Sequence, residues 1–295
     1  MKTPQLPYPK LSETLGIASD VWLKREDLHH YGSHKGRSVP FMIGEYYKNG
    51  IKNFVLSSTG NAALAAVLAA QTHNKNKSKD PISLQIFVGE NIDKEKLNKL
   101  KKLTDEKNIF LTQTKESKRE ALKYEKENKG KLLRQSTDNL ALLGYHELAE
   151  DLAKIENLAA VFIPTSSGTT AQGLYDGFVK LGINPQIHIV QTTSCHPMVT
   201  SPLQATSYKL QASLATAIAD KVAHRKTKVE EAIKNSRGSG WIATNDEICA
   251  AIKLIKETAG INISPNSALS VAGLVQAIKS GQTWKGPVVC LITGE

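Results

Sequence analysis

The chain has 295 residues, 40% of them hydrophobic and 22% charged, proportions ordinary for a soluble globular protein with one large or two ordinary domains. Its formal net charge of +10 invites a nucleic-acid partner, but residues 93–131 hold thirteen lysines and arginines against eight acids, half of the excess. There Leu97, Leu100 and Leu103 recur at helical spacing with Glu95/Lys99 and Glu125/Lys129 pairs beside them, the marks of solvated helix faces, and with no arginine-rich arm, zinc pattern or interleaved aromatics no nucleic acid is expected.

In chain order, the opening MKTPQLPYPK is punctuated by proline and lacks the apolar core of a signal peptide. Residues 21–24 read as a short strand, and a helix pattern follows Lys35, carrying Phe41, Ile43, Tyr46 and Tyr47 and stopping at Asn49-Gly50. The strand NFVL (53–56) runs into Ser57-Ser58-Thr59-Gly60-Asn61 and an alanine-rich helix to about Gln71. The apolar run 62–70 is too short to span a bilayer, so no membrane association is expected. A polar loop is predicted over 72–80, a strand over 82–88, the leucine helix, a strand over 109–112 and a charged helix over 116–128.

Leu140, Leu143, Leu148, Leu152 and Ile155 predict one long amphipathic helix. AVFIP (160–164) is a strand that turns through Thr165-Ser166-Ser167-Gly168-Thr169-Thr170 into a helix ending near Gly182, and 187–191 is a further strand. Residues 194–240 are harder to read, with a helix near 228–234. WIAT (241–244) leads to a helix of Ile248, Ile252 and Ile255, residues 266–279 are helical, and VVCLIT (288–293) closes the chain. The cysteines, Cys195, Cys249 and Cys290, are three in number, widely spaced and without a CxxC pair, which fits a reducing compartment. The expectation is a cytoplasmic protein.

Alternating strands and helices of this length predict an α/β fold with mostly parallel sheet, and the absence of a low-complexity linker predicts interleaved domains. In such sheets ligands sit where strand ends feed helix N-termini. Two turns have that form. Ser57 to Asn61 offers hydroxyls, an amide and backbone N–H groups suited to a carboxylate or phosphate, or else plain helix capping by Ser58 or Thr59. Ser166 to Thr170 adds a glycine and four hydroxyls around a space suited to phosphate. Neither GxxxxGK[ST] nor GxGxxG occurs. A third stretch, KREDLHHYGSHKGR, sets Lys35 among small residues before a helix. That lysine is either an ordinary surface residue or an amine kept neutral as a nucleophile for aldehydes. A phosphate cradle, a carboxylate cradle and a candidate amine nucleophile together suggest an aldehyde cofactor with one phosphate, and pyridoxal phosphate meets that description. No Cys/His spacing supports a metal.

These stretches resemble the tryptophan synthase β / threonine synthase family of pyridoxal-phosphate enzymes, fold type II, in family order from about residue 20 onward. KREDLHHYGSHKGR is similar to the segment ending in the Schiff-base lysine, at Lys35. LSSTGNAALAAVLAA resembles the substrate loop, PTSSGTTAQG the phosphate loop, and VVCLITGE the strand whose Ser or Thr faces the pyridine nitrogen, at Thr293. The resemblance implies two interleaved open parallel-sheet domains, with 1–38 and 139–295 binding the cofactor and 39–138 an inserted substrate-binding domain. It implies that Asn61 bonds the cofactor's phenolic oxygen, that Ser57, Ser58, Thr59, Gly60 and Asn61 hold the amino-acid carboxylate, and that Ser166, Ser167, Gly168, Thr169 and Thr170 hold the phosphate. Lys35 would be covalent anchor and then general base at Cα.

ATAIADKVAHRKTKVEEAIKNSRGSGWIATNDEI and GINISPNSALSVAGL resemble the second half of threonine synthases, whereas KREDL and His34-Lys35 are closer to tryptophan synthase β chains and dehydratases. Two departures stand out: Gly36-Arg37-Ser38 where threonine synthases usually continue Asp-Arg-Gly, and Ser264-Pro265 where many relatives have Glu-Pro. The implied activity is a lyase acting on an O-phosphohomoserine-type amino acid. The alternatives are a serine/threonine dehydratase or other β-elimination or β-replacement enzyme, or a cofactor-binding inactive homologue serving as partner or regulator. A phosphorylated substrate needs a second anion site, for which Lys24, Arg25 and Arg37 are candidates; pairing of Lys24 and Arg25 with Glu26 and Asp27 is the simpler reading. The expected partners are the amino-acid substrate and a second copy in a homodimer.

Overall fold

A computed structural model describes residues 2–58, 60–90, 92, 94–104, 107–199 and 212–294. In chain order the first elements are β1 (Gln5–Pro7), α1 (Pro9–Leu15) and β2 (Val21–Arg25). Next come α2 (Lys35–Lys48), β3 (Asn53–Ser57), α3 (Asn61–Asn76), β4 (Ser83–Gly89), α4 (Lys94–Leu103), β5 (Ile109–Thr114), α5 (Ser117–Lys126), β6 (Lys131–Leu132) and α6 (Leu140–Leu143). Then follow α7 (His146–Leu152), β7 (Ala160–Pro164), α8 (Thr169–Lys180), β8 (Gln186–Thr192), α9 (Lys226–Ser236), β9 (Gly240–Ala243), α10 (Asn245–Ala259), α11 (Pro265–Lys279) and β10 (Val288–Ile292). The chain forms two units, one of Met1–His29 with Tyr145–Glu295 and one of His30–Gly144.

The first unit is built on a six-stranded sheet in the order β1-β2-β10-β7-β8-β9, parallel except for β1. Successive side chains of a strand face opposite sides, so its apolar runs fill two layers. Val21, Leu23, Ala160, Phe162, Val190, Cys290 and Ile292 pack with α10 and α11. Val161, Ile163, Ile187, Ile189, Val289 and Leu291 pack with α7, α8 and α9. Continuous apolar sequences such as AVFIP and VVCLI are what a parallel sheet covered on both faces requires.

The second unit has an all-parallel sheet in the order β5-β4-β3-β6. Phe54, Leu56, Leu84, Ile86 and Val88 face α2, α3 and α4, and Val55, Phe87 and Leu132 face Ala121 of α5. The alanines of α3 let it lie flat in this layer, with Ala63, Ala65, Ala66 and Ala70 at zero exposure.

Two expectations are corrected, and the start of the chain, left without elements in the sequence, gains two. The loop predicted over 72–80 is helical to Asn76, because buried Asn74 bonds the main chain of Ile82 in both directions, at 3.0 and 2.8 Å. The long helix predicted over 140–155 is broken into α6 and α7. A Cβ on Gly144 would lie 2.6 Å from Arg37 O and Ser38 Cα, so the chain presses its glycine against α2 there. The proline-punctuated start holds both a strand and a helix, with Pro9 at the first helical position, where its missing N–H costs nothing.

Candidate active site

In the second unit, the N–H of Lys35 donates to Ser33 Oγ at 3.3 Å and that of Gly36 to Ser33 O at 2.9 Å. Ser33 therefore builds the turn that sets half-buried Lys35 at the first position of α2. Gly32 sits at φ +83, and a Cβ there would lie 2.7 Å from Leu64 Cδ2 in the first turns of α3. That close approach brings the Lys35 turn beside the helix that Asn61 opens. Downstream of the lysine, Ser38 Oγ donates to Ala141 O at 2.9 Å, and Arg37 is buried.

Among the described residues of the turn 57–61, Ser58 does not cap the helix with its side chain. Ser58 Oγ accepts from the Gly60 N–H at 3.3 Å, ahead of the helix. Gly60 is the N-cap, and the first turn of α3 has neither a side-chain cap nor an acidic residue. Ser57 Oγ donates to Ser117 Oγ at the start of α5, 3.0 Å away. Thr59 lies outside the described residues.

In the first unit, β10 and β7 are parallel neighbours with Cys290 opposite Phe162, so Ser166–Thr170 and Thr293–Gly294 leave adjacent strand ends. From β7 the chain runs outward through β8 to β9, then returns on the other side of β7 as β10. This reversal is the switch point at which open α/β sheets bind ligands. Gly168, at φ +82, is the N-cap of α8, which has no side-chain cap and no acid in its first turn. A Cβ on Gly168 would lie 2.7 Å from Val229 Cγ2. Ser167 and Thr169 hydroxyls lie 2.8 Å apart. Ser166 Oγ accepts the N–H groups of Ala219 and Asp220, both at 3.1 Å.

Thr293 is 3% exposed. Gly294, at φ +102, donates its N–H to Ser267 Oγ at 3.1 Å, and its carbonyl accepts Ser264 Oγ at 2.6 Å and Ser267 Oγ at 3.2 Å. Ser264 also caps α11 by accepting the Ser267 N–H. The Ser-Pro departure therefore has a local cause, an N-cap serine before a first-turn proline. The sequence carried no sign that the same serines would hold Gly294, or that Ser117 and the main chain at 219–220 would join these turns, because each contact links distant segments.

Other candidates are assigned elsewhere. Lys24 is 1% exposed, 3.3 Å from Asp151 Oδ2 and 4.0 Å from Glu26 Oε1. Arg25 holds Asp27 at 2.7 Å, a pairing that raises its pKa. His29 is buried, His34 is the N-cap of α2 and His196 is exposed. Among the described residues no group of three or more His, Cys, Asp or Glu could hold a metal ion, and no helix is long and apolar enough to cross a membrane.

The family described as pyridoxal-phosphate dependent enzyme matches residues 1–294. The chain belongs to the pyridoxal-phosphate dependent enzymes. It is 26% identical to the threonine synthase of Methanosarcina acetivorans over 99% of this chain and 74% of that protein. Among solved structures it is similar to the processed form of threonine deaminase isoform 2 from Solanum lycopersicum. There the TM-score is 0.80 at 21% identity, over 100% of this chain and 84% of that one. The serine racemase of Dictyostelium discoideum gives 0.79 at 22%, over 100% and 92%. These likenesses bear out the α/β fold type II architecture, and the family makes pyridoxal phosphate the cofactor.

The residues of this pyridoxal-phosphate dependent enzyme suit that group. The open start of α8 with Ser167, Thr169 and Thr170 is a donor set for phosphate, Lys35 supplies an amine, and buried Thr293 a neutral hydroxyl.

Proposed function

We propose that the chain is an amino-acid lyase of the threonine-synthase kind, acting by elimination and replacement on an O-phosphohomoserine-type substrate. The observation that carries this reading is the seat of Gly32 on Leu64, which puts the Lys35 turn beside the start of α3. The amine and the carboxylate-type turn thus belong to one unit. Similarity to a protein named threonine synthase over 99% of the chain supports the choice of substrate.

Bound pyridoxal phosphate supplies an electron sink that loosens the proton on the substrate's Cα. The chain's own residues do the rest. Lys35 would hold the cofactor covalently, then take the Cα proton, a role that accelerates such steps about 10²–10⁴-fold. Asn61 would bond the phenolic oxygen. Ser166, Ser167, Gly168, Thr169 and Thr170 would hold the phosphate, in the unit that carries Thr293, and Thr293 would face the ring nitrogen as an uncharged partner. Ser57, Ser58, Thr59, Gly60 and Asn61 would bind the substrate carboxylate. We further propose a cytoplasmic homodimer, which sedimentation of the purified protein tests.

A second reading, dehydration of serine or threonine, is favoured by the commitment of Lys24 and Arg25 to carboxylates. Neither then serves a substrate phosphate. Phosphate release from O-phosphohomoserine against keto-acid release from serine or threonine separates the two. Silence in both assays from a protein that binds the cofactor would favour a regulatory homologue. Purified protein with pyridoxal phosphate should show a visible absorbance band that Lys35→Ala loses, with activity down about 10²-fold or more. A band unchanged in that variant removes Lys35 from the role.

A further inference from the structure

Residues 212–223 have no regular secondary structure, yet side chains from two helix starts and one loop take up their main-chain N–H groups. Asn245 Oδ1, at the start of α10, accepts from Leu214 at 3.0 Å, and its Nδ2 donates to Ala212 O at 3.0 Å. Asn266 Oδ1, at the start of α11, accepts from Ala217 at 3.0 Å. Ser166 Oγ accepts from Ala219 and Asp220. Ala215 and Ile218 are buried beneath, in the layer of α10 and α11. The segment is therefore a strap tied across the carboxyl edge of the sheet, one of its ties being the first serine of the loop at the switch point.

A serine hydroxyl has two acceptor positions and one proton to give. Two N–H groups take up both acceptor positions of Ser166, and no described residue accepts its proton. A group that fills the loop with oxygen acceptors, as a phosphate does, completes the set. Donation of the proton to an anion makes the oxygen a better acceptor, because hydrogen bonds in a chain polarise one another.

We infer that Ser166 is a coupling residue: phosphate on loop 166–170 tightens the hold of Ser166 on the main chain of 219–220, so that cofactor binding fixes the strap. The inference rests on the reading that this loop holds the phosphate. Asp220 Oδ1 accepts from its own Val222 N–H at 3.2 Å, which keeps the turn closed around the bonded amides.

Hydrogen exchange of the apoprotein, with and without inorganic phosphate or pyridoxal phosphate, tests it. Either ligand should slow the amides of Ala219 and Asp220 by up to about twofold, as expected of a roughly 10–30% strengthening of bonds worth about 1 kcal/mol each. In Ser166→Ala those amides should exchange about tenfold faster than in the wild type and lose the response, and Ser166→Thr should restore it. Protection of the amides at 169–171 without any at 219–220 overturns the coupling and leaves the loop reading standing. Protection at neither place overturns the loop reading itself. The wild-type comparison needs no variant, so a folding defect in Ser166→Ala does not rescue the idea.

Discussion

Polar groups inside the six-stranded sheet and polar groups at its carboxyl edge are used in opposite ways. Inside, His188 is fully buried, stacked on Phe162 with centroids 4.3 Å apart. Its Nδ1 accepts the Trp241 N–H at 3.2 Å, so the ring proton is on Nε2, 3.1 Å from Gln186 Oε1. Every bonding position of the imidazole is spent. Buried Lys24 is likewise held by Asp151 and by Thr3 O. At the edge, α8 starts at a glycine with no side-chain cap, and Ser166 keeps a proton to give. Nearby α10 also starts at that edge, but Thr244 and Glu247 close it with a full capping box. An uncapped helix start beside a capped neighbour is what the proposed phosphate site requires.

The comparison breaks most visibly in acid. Burial pushes the His188 pKa down to about 3 from an ordinary 6.5, and a proton on Nδ1 would face the Trp241 N–H. The unfolded chain then binds the proton more tightly than the folded one. Stability is complete above about pH 6.5 and lost as pH falls toward 3, on the order of 4 kcal/mol over that window. Chemical denaturation across pH should show this slope, and His188→Phe should flatten it. A wild-type curve that is flat from pH 6.5 to 4 would mean that the interior is not closed.

A smaller effect tests the edge. Ser167→Asp puts a carboxylate beside the open start of α8 and should weaken pyridoxal phosphate more than about tenfold by charge repulsion, while leaving thermal stability the same or slightly higher. Unchanged affinity in a fluorescence titration removes the phosphate from this loop. Smallest is Thr244→Ala, which opens the capped start of α10. It should cost about 1 kcal/mol of stability and leave cofactor affinity alone; a fall in affinity would show that the two starts are not separate in function.

Much of this contrast was legible before any fold was known. Glycine after hydroxyls at the end of AVFIP, and Thr244 three residues before Glu247, are local chemistry, and local chemistry survives in a sequence. What was hidden depends on partners far along the chain. The helix α3 runs five residues past its expected end because Asn74 meets Ile82, and the helix after Asn139 breaks because Gly144 meets α2. The strand β1 hides behind prolines that only an edge position tolerates, and β6, with two residues, is too short to show a period. Of the candidate site, the turns and their lysine could be read. Their ties to Ser117, Ser267 and the strap could not, since each joins residues from 27 to 60 positions apart.

The place of β10 in its sheet also bears on how the chain acquires its shape. Its neighbours are β2, at residues 21–25, and β7, at 160–164, so a strand made late is wedged between two made much earlier. Contacts of such long range are slow to form, because the chain must close large loops before gaining from them. The unit of His30–Gly144 is one continuous stretch and can fold while the ribosome is still working on the remainder. The other unit must wait, holding an incomplete sheet with two open edges where β10 will go. In that interval the edges of β2 and β7 lack their partner, the kind of exposed edge that invites misassembly.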